Sequence, residues 1–170
     1  MISLNIKTLV RIAMTAAIYT VVTLVLAPLS YGNLQVRISE ALTMLPIIWK
    51  PSVAGVTLGC FLSNLIGASM GLNPTGYLDA VVGTTATFLA AWCTWKFRNI
   101  RVKNIPVLSA LMPAVWNFFF VGMELAVLYM PEHIMTGMLI NGTWVALGEV
   151  IAAVLGLFLI RALDKLDLFK

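Results

Sequence analysis

Ten side chains have the types and spacing to do chemistry: the carboxylates Glu40, Asp79, Glu124 and Glu149, the cation Arg37, the amides Asn64, Asn117 and Asn141, and the indoles Trp116 and Trp144. They are set in a chain of 170 residues that is 61% hydrophobic and 11% charged. Carboxylates outnumber the one cation among them, so the chemistry they favour is recognition of a ligand that offers N–H donors or a positive charge. A carboxylate that accepts two adjacent N–H groups reads a guanine-like edge, and an indole supplies stacking or cation–π contact. Such stacking is worth ~1–3 kcal/mol per base by analogy with nucleic-acid sites. Catalytic patterns are absent from the sequence: no His pair, no H-E-x-x-H, no G-x-S-x-G and no Walker A G-x-x-x-x-G-K-[ST]. The chain is therefore read as a non-enzyme that cannot itself hydrolyse ATP. Cys60 and Cys93 stand alone, without CxxC or Cys/His spacing, so no metal or cofactor is expected, and both are read as small packing residues.

Arg37 and Glu40 belong to the stretch Gln35-Val36-Arg37-Ile38-Ser39-Glu40-Ala41-Leu42-Thr43-Met44-Leu45-Pro46. Three residues apart on a helix, they share a face and can pair, and a helix N-terminus tolerates the negative charge of Glu40. One reading is a salt bridge at the rim of a loop; the sharper one is the mouth of a binding site.

The elements that must hold these residues are membrane helices. A soluble domain carries roughly 25% charged residues, whereas long apolar runs mark transmembrane segments. At about 20 residues per span, the chain predicts an all-α membrane protein, a single bundle of about six transmembrane helices in one domain over 1–170. The start resembles the n-region of a signal peptide, but the apolar run after Arg11 is too long and no small-residue cleavage pattern closes it, so the first span is read as retained. Spans are expected at 8–27, 36–49, 52–70, 77–97, 106–129 and 138–163, the first stopped by Pro28. The second covers only ~20 Å of a ~30 Å hydrocarbon core and must end partway or be helped by flanking loops. Two rows of small residues, Ala13-x-x-x-Ala17 and Gly55, Gly59, Ser63, Gly67, Gly71, permit close helix approach. The partner of the alanine row is either a neighbouring span or another protein. Residues 71–76 form a loop by their Gly and Asn-Pro content, and His133 reads as a solvated loop histidine.

The net charge is +4, and its carriers fall on one side of a six-span scheme: Lys7, Arg11, Lys50, the 96–103 loop and the 161–170 tail. That asymmetry encodes topology rather than a nucleic-acid partner, and places both termini in the cytoplasm. Counting depth at ~1.5 Å per residue puts Glu40, Asp79, Asn141 and Trp144 within about 10 Å of the outer boundary, and Asn64, Asn117 and Glu124 past the midpoints of outward-running spans. Glu149 falls near the midplane, where an ionised carboxylate costs at least ~3 kcal/mol. Interhelical hydrogen bonds, at under about 1 kcal/mol each, account for any one of these residues less strainedly than for the set. The set predicts an outward-facing, acidic pocket walled by aromatics. The halves show no inverted repeat of the kind found in many secondary transporters.

The segment from Tyr31 to Pro46 closely resembles the signature of the QueT family of queuosine-precursor transporters, substrate-binding (S) components of energy-coupling factor (ECF) transporters. The resemblance extends over the chain, with Ala13-x-x-x-Ala17 matching the motif by which S components dock. It implies a multi-pass protein of the bacterial cell membrane that captures a 7-deazaguanine such as preQ1 or queuine outside. It also implies partners: the transmembrane coupling subunit (EcfT) and two cytoplasmic ATPases (EcfA and EcfA′) that use ATP, with Ala13 and Ala17 now facing the coupling subunit. Within it, Glu40 or Glu124 would read the guanine-like edge and Asp79 or Glu149 meet a side-chain amine. Asn64, Asn117 and Asn141 would fill remaining donors and acceptors, Trp116 or Trp144 would stack, and Arg37 would orient Glu40. The alternatives are an S component for another vitamin or nucleobase, a stand-alone proton-coupled carrier built on Glu149 and Asp79, and an assembly subunit without ligand.

Overall fold

The computed structural model describes residues 5–32 and 35–166. The first residues of the signal-like start, Asn33 and Leu34 of the family signature, and Lys170 of the basic tail lie outside the described residues. The helices are α1 (Ile6–Val25), α2 (Ala27–Ser30), a 3-10 helix (Ile38–Ile47), α3 (Ser52–Ser69), α4 (Leu78–Phe97), α5 (Val107–Tyr129), a 3-10 turn (Pro131–His133) and α6 (Ile134–Lys165). Among the described residues, four segments are long and apolar enough to cross a membrane: Ile6–Val25, Ser52–Ser69, Val107–Tyr129 and Pro131–Lys165. The chain is a multi-pass membrane protein. At 20 residues α4 has the length of α1 but is not one of these four.

Local chemistry sets the ends of these helices. Asn5 caps α1 by accepting from the Lys7 amide at 3.2 Å, which satisfies one of the orphan N–H groups of a first turn. Pro28 stands in the first turn of α2, where its missing N–H is harmless. Gly71 closes α3 with φ +69°, a left-handed conformation that glycine adopts without a Cβ clash.

The long helices pack in sequence, α1 on α3, α3 on α4, α4 on α5 and α5 on α6, and the 3-10 helix touches all five. The sequence predicts a second span here; the structure instead inserts a 10-residue 3-10 segment through the middle of the bundle. At ~2.0 Å per residue it covers about 20 Å, so it meets the expected length in a narrower form. Isolated 3-10 runs rarely exceed three or four residues. This one is buried from Thr43 to Ile47, and the surrounding helices hold it. On α6, a Cβ at Gly156 would lie 2.5 Å from Met44 Cγ, so only glycine lets α6 approach. Met44, Leu45 and Ile47 form an apolar core there with Ala153 and Ile160.

The glycine row of α3 packs inside the bundle. A Cβ at Gly59 would lie 2.6 Å from Tyr19 Cβ and 2.9 Å from the Ala16 carbonyl, and one at Gly55 would lie 2.8 Å from Thr15 Cβ. The alanine row of α1 does not: Ala13 and Ala17 are exposed, amid Val10, Met14, Ile18 and Val21, which are also exposed. The basic residues gather at one end. Lys50 and Arg98 lie over the Trp95 ring at 4.1 and 5.0 Å, and Arg101 and Arg161 line one cavity.

Candidate ligand site

At the other end of the bundle the polar side chains converge. Glu40 stands in the first turn of the 3-10 helix, 1% exposed. Its Oε1 accepts from the Tyr19 hydroxyl of α1 and, at 2.9 Å, from Thr87 of α4. Its Oε2 accepts nothing. Arg37 does not pair with Glu40 as the spacing predicts: its guanidinium forms an ion pair with Asp79. The reason is local. Arg37 precedes the helix with φ −86° and ψ 97°, so its side chain leaves the shared face and runs across to α4. It lies over the Tyr31 ring at 5.3 Å.

Asp79, in the first turn of α4, is engaged through one oxygen, and its Oδ1 has no donor. Its Oδ2 receives Arg37 and, at 2.9 Å, the Asn73 amide. Its backbone carbonyl receives Asn64 Nδ2 at 2.9 Å. Its Oδ1 lies against Gly83, where any Cβ would collide with it. The 71–76 loop thus folds into the site: Asn73 Oδ1 accepts from both the amide (3.2 Å) and the hydroxyl (2.8 Å) of Thr75 while its amide holds Asp79. Tyr31 ties the preceding loop down by donating to the Ser63 carbonyl at 2.7 Å. Burial pushes its hydroxyl up to about 12, so it remains a donor.

The remaining carboxylates come from α5 and α6. Glu149 Oε1 accepts from Asn117 Nδ2 at 3.1 Å, and its Oε2 has no donor. Glu124 has no donor on either oxygen. Arg37 acts electrostatically on Glu40, Asp79, Glu124 and Glu149 alike. The guanidinium pairs directly with Asp79 alone among them, and Glu40, Asp79, Glu124 and Glu149 all keep bare oxygens in a buried setting. A buried polar group without a partner costs ~1–3 kcal/mol, more when charged. Asn64 Oδ1 is bare as well. Two cavities adjoin the cluster: one of about 220 Å³ bordered by Tyr31, Gln35, Pro74, Tyr129 and Asn141, and an apolar groove of about 470 Å³ bordered by Leu78, Val82, Phe119, Phe120, Glu124 and Met138.

The structure thus brings together Arg37, Glu40, Asn64, Asp79, Asn117, Glu124 and Glu149, each no more than 5% exposed. Asn141 stands at the edge, half-buried, with its amide on the Gly137 carbonyl of its own helix at 2.8 Å. Neither of the indoles expected to stack is fully buried with this set. Trp144 is 49% exposed on the outside of α6, and Trp116 is half-buried against Phe120 at 5.9 Å between ring centroids. Two aromatics that sequence reasoning passes over join the cluster: Tyr19 on Glu40 and Tyr31 beside Arg37. The signal for Tyr19 is a phenol within an apolar span, in line with the Thr20 and Thr23 hydroxyls. Cys60 is also more than filler, since its Sγ accepts from Thr87 at 3.3 Å and Asn64 at 3.5 Å.

Comparison with known proteins meets this geometry from another direction. No solved structure matches the chain. A curated relative, the queuosine precursor transporter QueT of Lactococcus lactis subsp. cremoris (strain MG1363), is 28% identical over 163 residues, covering 92% of each chain. The family model for the QueT transporter matches residues 9–165, a match that takes in every long helix and every carboxylate of the cluster, and on it the chain belongs to the QueT transporter family.

Proposed function

We propose that this chain is the substrate-binding component of an ECF-type importer, capturing a 7-deazaguanine queuosine precursor outside the cell and passing it inward with the help of an ATP-driven module. The observation that carries the reading is the buried set of bare acceptor oxygens on Glu40, Asn64, Glu124 and Glu149. A ligand for that set must be rich in donors. The 7-deazaguanine edge offers a ring N–H beside an exocyclic amine, donors that separate bare oxygens can each accept. Family membership supplies the substrate class, through the transport of queuosine precursors that the Lactococcus relative's name records.

In this reading the basic end faces the cytoplasm, both termini lie there, and the helices form the six-element bundle of an S component, with the 3-10 segment as its short second element. The carboxylate cluster then faces outward. Tyr19 and Thr87 fix Glu40, Asn117 fixes Glu149, and Arg37, clamped on Asp79, holds the outer loops over the site. The exposed Ala13 and Ala17 stripe of α1 is the surface for the coupling subunit, because small residues let a partner helix approach closely in lipid. The two ATPases bind that subunit and not this chain.

Calorimetric titration of the detergent-purified protein with 7-deazaguanines and with common vitamins tests the substrate. Saturable binding of a deazaguanine alone is expected, and its absence refutes the assignment. Uptake by cells expressing the chain with and without the ATPase module tests the coupling: uptake by the chain alone would point to a stand-alone carrier.

A further inference from the structure

The four carboxylates are not equivalent, and the difference assigns the part of the ligand each can take. Asp79 is anchored through Oδ2 by Arg37 and Asn73 and keeps Oδ1 without a donor beside Gly83. Glu40 and Glu149 are each fixed through Oε1 by protein donors and leave one oxygen bare. A single bare acceptor in a fixed plane suits one N–H of a flat heterocycle. Glu124 differs from both. It is 4% exposed and has no donor on either oxygen. The nearby hydroxyl that could supply one, Thr75, donates to Asn73 instead. Glu124 also borders the apolar groove of Leu78, Val82, Phe119 and Phe120. Beyond the groove, Asp79 and Arg37 of the main cluster act on it electrostatically.

We propose that Glu124 is the specificity-determining residue of the site: it takes a protonated amine on the ligand's substituent, so the protein selects 7-deazaguanines that carry an ammonium over isosteric neutral ones. This rests on the proposed function and adds to it the charge of the substrate. An ammonium brings three N–H donors and a full charge to a carboxylate with two empty acceptor oxygens. Low surrounding polarity strengthens that contact relative to water. A neutral substituent in the same place leaves Glu124 unpartnered and gains nothing from it. Discrimination by loss of a buried polar partner is far larger than discrimination by a methyl group's size.

The test is calorimetric titration of wild type, Glu124→Gln and Glu124→Asp with 7-aminomethyl-, 7-methyl- and 7-cyano-7-deazaguanine. Wild type is expected to bind the aminomethyl compound on the order of 100-fold more tightly than the methyl isostere. Glu124→Gln is expected to erase that ratio, and Glu124→Asp, which keeps the charge, to retain part of it. A carbodiimide footprint on wild type needs no variant: the aminomethyl ligand should protect the Glu124 carboxyl from labelling and the methyl isostere should not. Equal wild-type affinity for the charged and neutral compounds, an unchanged ratio in Glu124→Gln, or equal protection by both ligands overturns this inference and leaves the proposed function standing. No binding of any deazaguanine overturns the proposed function and the inference with it.

Discussion

Replacing Arg37 by Met removes the one guanidinium among four carboxylates, and the structure sets the size of the effect. The Arg37 and Asp79 side chains are 5% and 1% exposed, so the pair belongs to the buried class, in which deleting one partner costs about 3–5 kcal/mol because an uncompensated charge is left behind. Two features place the expectation. Asn73 still donates to Asp79 at 2.9 Å, which lowers the penalty. The contact of Arg37 with the Tyr31 ring at 5.3 Å is lost too, which adds about 0.5–2 kcal/mol. The sum stays near 3–5 kcal/mol, or a fall in Tm of about 6–20 °C for a chain of this size. Thermal unfolding in detergent, followed by tryptophan fluorescence, measures it for Arg37→Met, Asp79→Leu and the double variant. The double variant should recover most of the loss, because a buried ion pair can be exchanged for apolar residues at little net cost, and the cycle should give a coupling above ~2 kcal/mol. An Arg37→Met protein within about 1 kcal/mol of wild type refutes the reasoning, since the guanidinium would then be neither buried nor paired.

The other predictions concern the same frame. Tyr19→Phe strips a donor from Glu40 and should lower stability by about 1–3 kcal/mol and weaken ligand binding with it, both read by a melt with and without ligand; an unchanged ligand-dependent shift would count against Glu40 as a ligand contact. Gly59→Val places a Cβ 2.6 Å from Tyr19 Cβ and 2.9 Å from a backbone carbonyl, so overpacking of about 1–3 kcal/mol or more is expected, seen as a lower Tm. Ala13→Leu with Ala17→Leu should abolish capture by the coupling module in a pull-down while calorimetric affinity for ligand holds. Trp144→Ala, on the exposed side of α6, should leave that affinity within about 3-fold, and a larger loss would return the indole to the site.

Much of this protein is legible in the residues themselves. The apolar runs and sparse charges demand membrane helices, and the breaks between them are written by Pro28, Gly71 and the basic loop, because lipid forces every backbone polar group into a helix's own ladder. The cluster is legible for the same reason: a carboxylate among apolar residues has no other place than the bundle interior, which is why Glu40, Glu124 and Glu149 are found together as expected. Partners are another matter. The i, i+3 spacing of Arg37 and Glu40 suggests a pair, yet an extended backbone at Arg37 sends its side chain to Asp79, 42 positions away in the chain. A run such as 36–49 does not say whether it forms an α-helix or a 3-10 helix; packing among five neighbours decides that.

Sequence by itself therefore determined the helical membrane fold, the family and the acidic character of the site, since each follows from composition and local pattern. Tertiary structure alone decided which oxygens are satisfied and which are bare. It half-closed Asp79 with Arg37 and Asn73 and did the same to Glu40 and Glu149, left Glu124 open, and turned Trp144 outward, because hydrogen-bond satisfaction and burial depend on side chains far apart in sequence that meet only when the helices pack.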